Sequence, residues 1–359
     1  MNILLEPFKL GPYLLKNRLV MAPLTRRRAA EGGVPVELNA RYYAQRASAG
    51  LIIAEASQIS PQGVGYMNTP GIHSEAQVEG WKGVTKAVHD KGGLIFLQLW
   101  HVGRVSHSLL QPGHALPVSA SAISGGDFIS TPDGKKPMEI PHALTVPEIG
   151  QIIEDYRNAA ANAMQAGFDG VEIHAANSYL LDQFMHSSSN IRTDQYGGSI
   201  ENRCRLTLEV ADAVCKEIGN EKTGIRLSPS NIRYGMDDPD PAALFGHVIH
   251  ELDKRQLAYL HLVEPMLPLD KHPHMIPHVA KHFREHYSGP LITAGNLTPE
   301  SGRQVLEAGH AALVAFGRLY IANPDLPKRI LRNAPLNVPD PDTFYSPGPE
   351  GYVDYPFLQ

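Results

Sequence analysis

The chain has 359 residues, 43% hydrophobic and 19% charged, with a net charge of −5. This is an ordinary globular composition, and its sign gives no reason to expect nucleic acid or an anionic membrane as partner; the short basic run Arg26-Arg27-Arg28 is too small to make such a patch. Neither an 18-residue apolar run nor a basic-plus-apolar N-terminal signal is present, so the expected location is the cytoplasm.

Residues 7–17, PFKLGPYLLKN, alternate polar and apolar around a Gly-Pro turn and predict a hairpin that plugs the bottom of a barrel built by the later runs. Eight such β-rich runs alternate with helical patterns. The runs are 19–24, 51–57, 94–100, 170–174, 224–228, 259–263, 291–294 and 312–316. The helices are expected near 36–49, 75–91, 146–166, 200–219, 241–255, 275–287, 298–308 and 324–333. Thr145 with Pro147 and Glu148, and Thr298 with Pro299 and Glu300, supply a cap, an early proline and a first-turn acid; Gly92-Gly93 and Gly167 end helices. Cys204 and Cys215 fall about 16 Å apart along one such helix, too far for a disulfide, and neither belongs to a C-x-x-C pair.

Eight βα units in alternation specify an α/β fold closed as a (β/α)8 TIM barrel rather than an open sheet. A bare barrel needs about 250 residues, so the chain is expected to be one domain, 1–359, with room for insertions. The longest of these, 101–145, comes after the third strand on the active-site face and is a candidate lid or subdomain.

The polar residues at strand ends carry the chemistry. Residues 169–203 run from an apolar strand into His174, Asn177 and Tyr179, then into a long polar loop. Two hydrogen-bonding groups and a phenol within six residues are enough to hold an oxygen and supply a proton. Arg226 lies inside an apolar strand and requires an anionic partner, either a ligand or an interior carboxylate such as Glu172 or Glu55. The seventh and eighth strands end at Gly295-Asn296 and Gly317-Arg318, the usual barrel phosphate position, which predicts a phosphorylated ligand. His261 is expected to be a packed interior residue and Lys271-His272-Pro273-His274 a rim loop, with no metal site.

The run H-x-x-N-x-Y-L-L-x-Q-F from His174, followed by N-x-R-T-D-x-Y-G-G-S-x-E-N-R from Asn190, resembles the old yellow enzyme family of flavin-dependent ene-reductases. The resemblance covers nearly the whole chain, including the tail 351–356, which it places near the cofactor cavity. It implies noncovalent FMN and a nicotinamide hydride donor, NADPH before NADH. It further implies that Pro23 and Leu24 lie along the flavin, that the Thr25 hydroxyl bonds its C4 carbonyl, and that Ala56 makes a backbone contact near the reactive edge. Gln98 can donate and accept in one plane, as a pyrimidine-like edge requires. By the same resemblance Arg226 faces the flavin edge that becomes negative on reduction, and Gly295, Asn296, Gly317 and Arg318 hold its phosphate. His174 and Asn177 bind a substrate oxygen, Tyr179 is the proton donor, and Trp100 and Tyr66 belong to the substrate cavity. The implied substrates are enones, enals, maleimides or nitroalkenes, with nitroesters as a further possibility, on a monomer or weak homodimer. Two departures from the common pattern, Ser178 where glycine is usual and Met185-His186-Ser187 where proline often occurs, bear on substrate scope. The rival readings are a non-redox barrel with a phosphorylated ligand, which would require a lysine or an acid–base pair at a strand end, and a flavin-binding sensor or storage protein.

Overall fold

The computed structural model describes residues 2–359. Its strands are β1 (Phe8–Leu10), β2 (Tyr13–Leu15), β3 (Leu19–Met21), β4 (Leu51–Gln58), β5 (Ile95–Trp100), β6 (Val118–Ser119), β7 (Phe128–Thr131), β8 (Gly134–Pro137), β9 (His142–Ala143), β10 (Gly170–Ala175), β11 (Thr223–Leu227), β12 (Tyr259–Val263), β13 (Leu291–Ala294) and β14 (Leu313–Phe316). The helices are α1 (Glu37–Gln45), α2 (Glu75–His89), α3 (Val146–Gln165), α4 (Leu180–Met185), α5 (Ile200–Ile218), α6 (Pro241–Asp253), α7 (Val279–Phe283), α8 (Pro299–Glu307), α9 (Arg318–Ala322) and α10 (Leu326–Leu331). Strands β3, β4, β5 and β10 to β14 close into a parallel barrel in the order of the eight expected runs. Strands covered on both faces read as continuous apolar runs, and these are buried along their whole length.

One set of side chains points into the barrel. Val20, Leu51, Ile53, Phe96, Tyr259, Ile292 and Leu313 pack there against Leu10 and Leu15 of the β1–β2 hairpin, which plugs this end as expected. Tyr13 fixes the plug by donating to the Asp169 carbonyl at 2.6 Å. The opposite faces pack on the helices. Thr145 and Thr298 cap α3 and α8, each accepting from the third helical amide. Gly92 and Gly167 take φ of +66° and +84° just beyond α2 and α3.

Three boundaries moved, for local reasons. The first barrel strand stops at Met21 because Pro23 has no amide to continue the ladder. The helix expected at 275–287 begins only at Val279, since residues just before Pro277 are pushed away from helical angles, and it ends in a tight turn at Arg284–His286. The stretch after Tyr179 is not a loop throughout: Leu180–Met185 form α4, every residue buried. The 101–145 insertion contains the β7–β8 hairpin and a β6–β9 pair. No helix among the described residues is long and apolar enough to cross a membrane.

The tightness of the barrel can be measured at a glycine. A Cβ on Gly224 would overlap the Tyr259 ring, whereas one on Gly83, exposed in α2, would meet nothing within 4 Å. Gly224→Ala is expected to cost about 1–3 kcal/mol in urea unfolding, and Gly83→Ala to add about 0.5–1 kcal/mol.

Candidate active site

A cleft of about 670 Å³ opens at the carboxyl ends of the strands. β10 delivers its polar side chains by a sharp turn. Asn177 and Ser178 both take positive φ, +58° and +71°, and Tyr179 then stands at the cap of α4. The turn is held by the Asn177 amide donating to Ser228 Oγ at 2.7 Å and the Leu180 amide donating to the His101 carbonyl at 3.0 Å.

Four aromatic rings form one wall. Tyr66 stacks on Trp100 at 5.6 Å, and Tyr179 meets Trp100 and His174 edge-on at 4.9 and 5.1 Å. The Tyr66 and Tyr179 hydroxyls lie 3.3 Å apart. Burial raises the Tyr179 pKa above the ordinary phenol value, so the group keeps its proton across the physiological range. Burial first, then Arg226 and His261, pushes His174 well below the usual imidazole value, so the ring is neutral. Its Nδ1 is buried with no hydrogen-bond partner.

Under this wall lies a polar layer inside the barrel. Pairing of β5, β10, β11 and β12 places Gln98 beside Glu172, and His174, Arg226 and His261 in one row. Glu172 accepts from Gln98 Nε2 at 2.7 Å and pairs with His261 Nδ1 at 2.8 Å. His261 is interior, as expected, and Glu172 is its partner. Arg226 is only 8% exposed, yet its Nε has no hydrogen-bond partner. It makes no ion pair with either interior carboxylate. Glu172 is committed to Gln98 and His261, and Glu55 to the Arg26 amide and the Tyr43 hydroxyl.

Of the residues singled out in the sequence, Thr25, Tyr66, Asn177, Tyr179 and Arg318 line the cleft directly. Gly295, with φ of +122°, and Gly317 lie just past the ends of the adjacent strands β13 and β14, while Asn296 is exposed beyond them. Ala56, Gln98, Trp100 and His174 are buried. Pro23 and Leu24 come after β3, with Leu24 nearest to Gly317. His274 pairs with Asp237 at 2.8 Å on the rim.

Sequence reasoning missed several wall residues: Ser130 of β7, Arg233 and Tyr234 after β11, and Tyr345 near the C-terminus. The basic run at 26–28 holds the last in place. Arg26 is fully buried and donates to the Phe344 and Gly351 carbonyls at 3.1 and 2.8 Å. Arg28 reaches the carbonyls of Thr343, Gly348 and Glu350 at 2.9 Å each. Both guanidiniums also lie against the Tyr352 ring. The run is therefore a clamp on the tail that carries Tyr345.

His101, buried behind the turn, has its pKa pushed down to about 3 by burial. A depressed imidazole pKa gives stability that is present above the unfolded value and is lost as pH falls toward the folded one. Unfolding free energy should therefore fall between pH 6.5 and about 3, by roughly 1.4 kcal/mol per pH unit for His101 alone, with His174 adding in the same direction. Urea titrations at successive pH values measure the slope.

Comparison with known proteins agrees with this geometry. The NADH:flavin oxidoreductase / NADH oxidase family matches residues 3–337. The chain belongs to this family, that of the old yellow enzymes. This old yellow enzyme family member is 49% identical to 12-oxophytodienoate reductase 1 of Oryza sativa subsp. japonica, over 99% of this chain and 93% of the relative. It is 44% identical to 12-oxophytodienoate reductase 2 of Arabidopsis thaliana, over 99% and 96%. Among solved structures it resembles morphinone reductase in complex with tetrahydroNAD, with 50% identity, a TM-score of 0.93 and 99% and 98% of the two chains covered. The old yellow enzyme homologue from Zymomonas mobilis is similar at 44% identity and a TM-score of 0.95, covering 99% of each chain. The barrel is thus that of a flavin-dependent oxidoreductase.

Proposed function

We propose that this protein is an FMN-dependent ene-reductase that uses a reduced nicotinamide, NADPH in preference to NADH, to saturate alkenes activated by a carbonyl or nitro group. The observation that carries this reading is the pair of buried side chains with unpartnered nitrogens, Arg226 and His174, adjacent in register and, in the case of His174, beside the Tyr179 phenol. A cation left without a hydrogen bond in a nearly dry site fits an anionic ring edge. Thr25 and Arg318 on the cleft wall fit the opposite needs of a ring carbonyl and a phosphate. FMN, when bound, supplies the hydride chemistry. The chain's own residues do the rest.

Neutral His174 and Asn177 donate to the substrate oxygen and stabilise the charge that grows there as the β-carbon is attacked. Tyr179, protonated at working pH, passes its proton to the α-carbon. Trp100 and Tyr66 wall the cavity. Gln98, whose Nε2 donates to Glu172, would hold the flavin ring edge together with the backbone of Pro23, Leu24 and Ala56. Gly295, Asn296 and Gly317 would hold its phosphate with Arg318. We take the whole chain as one functional unit, acting in the cytoplasm as a monomer or weak homodimer. Nitroesters are a secondary substrate class. The non-redox barrel is disfavoured because the chain belongs to the NADH:flavin oxidoreductase / NADH oxidase family, and a storage role because it would not need His174, Asn177 and Tyr179 together.

The test is spectroscopic. Purified protein should be yellow, bleach anaerobically with NADPH faster than with NADH, and recolour on addition of 2-cyclohexenone. A colourless protein that FMN cannot reconstitute would overturn the cofactor reading, and bleaching without recolouring by any activated alkene would overturn the substrate class.

A further inference from the structure

The turn that presents Asn177 and Tyr179 contains a residue whose side chain does no work for the turn itself. Ser178 is fully buried and left-handed, and its backbone is clamped on both sides. Its amide donates to Asp182 Oδ2 at 2.8 Å, and its carbonyl accepts from Gln183 Nε2 at 2.7 Å. Asp182 is in turn paired with buried His186 at 3.2 Å, so the two departures from the common motif belong to one hydrogen-bonded chain. A glycine would take φ of +71° at no steric cost, so the serine contributes only its hydroxyl. That hydroxyl leaves the turn altogether. It donates to the Arg233 carbonyl at 2.9 Å and accepts from Asn231 Nδ2 at 2.7 Å, across to the loop after β11.

That loop is the cleft wall made by Asn231, Ile232, Arg233 and Tyr234. It holds a tight turn at Arg233–Gly235, with Tyr234 at φ +53°, and is tied on its far side by Arg104 Nη2 to the Tyr234 carbonyl at 2.8 Å. Arg104 keeps the loop attached, and Ser178 sets how closely it approaches the proton donor.

We infer that Ser178 is a specificity-determining latch: its hydroxyl fixes the Asn231–Tyr234 wall against the catalytic turn and so limits the bulk of the alkene the cleft accepts. It touches neither substrate nor cofactor and is a positioning residue. The inference rests on the ene-reductase reading for its substrate class, though not for the latch itself.

The experiment uses the flavin-loaded enzyme with Ser178→Ala, which deletes the hydroxyl, and Ser178→Gly, which also relaxes the left-handed turn. The glycine variant keeps the test available if the alanine variant folds poorly. The substrates are 2-cyclohexenone and carvone, which adds a methyl and an isopropenyl group to the same ring. Both variants should raise the ratio of kcat/KM for carvone over cyclohexenone by about 3- to 10-fold, through KM, while flavin content and the rate of bleaching by NADPH stay unchanged. Hydrogen exchange over residues 231–236, including the Met236 amide bonded to the Arg233 carbonyl, should quicken in both. Unchanged exchange overturns the latch. Faster exchange with an unchanged substrate ratio overturns its role in specificity. If the unmodified enzyme reduces no alkene, the functional reading fails, and exchange still decides the latch.

Discussion

Replacing Tyr179 by phenylalanine should slow recolouring of the reduced enzyme by an enone about 10²- to 10⁴-fold, the span of a lost general acid, and leave bleaching by the nicotinamide close to its original rate. The asymmetry comes from geometry. Tyr179 belongs to the cleft wall, 3.3 Å from the Tyr66 hydroxyl and edge-on to Trp100 and His174, so the ring can be kept while only the proton is removed. Its raised pKa makes a second, independent statement. The phenol is protonated well past neutrality, so the recolouring rate should be flat from mildly acidic to mildly alkaline pH, where a solvent-derived proton would make it fall. Stopped-flow absorbance separates the two half-reactions. Equal slowing of both would remove Tyr179 from the acid role.

Arg226→Met should have opposite effects on the apoprotein and on the loaded enzyme. Arg226 sits in the middle of a strand whose residues are all buried, and its Nε is unpartnered. An unpaired buried cation is a cost to the fold, so a methionine of similar length should stabilise the apoprotein by about 1–3 kcal/mol. If Arg226 faces the flavin, as proposed above, the same change should weaken FMN binding by about 2–5 kcal/mol, roughly 30-fold or more in dissociation constant. Chemical unfolding of the stripped protein gives the first quantity and fluorescence titration with FMN the second. Destabilisation of the stripped protein would mean that Arg226 has an interior partner after all.

How much could be read in the sequence depends on how each signal arises. Continuous apolar runs such as Leu51–Gln58 can be buried only on both faces, so all eight barrel strands could be read with errors of a few residues at their ends. His174 and Arg226 can be read because a polar side chain within or near the end of an apolar run has few structural excuses, and Arg318 because it follows the glycine after the eighth strand. Helix α4 was hidden because its six residues are flanked by Asn and Ser and are too few to display a helical period. The Asn231–Tyr234 wall and Tyr345 were hidden for another reason. Their places depend on contacts made across the fold, by Ser178 in one case and by Arg26 and Arg28 in the other, and no local pattern encodes those. Arginines read as too few for a polyanion turned out to be saturated by backbone carbonyls, which leave no trace in composition.

That clamp also dictates an order of assembly. The tail carbonyls that accept from Arg26 and Arg28 lie 315 to 325 positions further along the chain. Such a contact forms only after the intervening polypeptide has condensed, because the entropy of closing so long a loop must first be offset by everything folded between. Early in folding the two guanidiniums are therefore bare, and the barrel mouth lacks the wall that Tyr345 completes. The mouth is in this sense closed last, by two arginines just after β3 meeting a tail that is among the final segments of the chain.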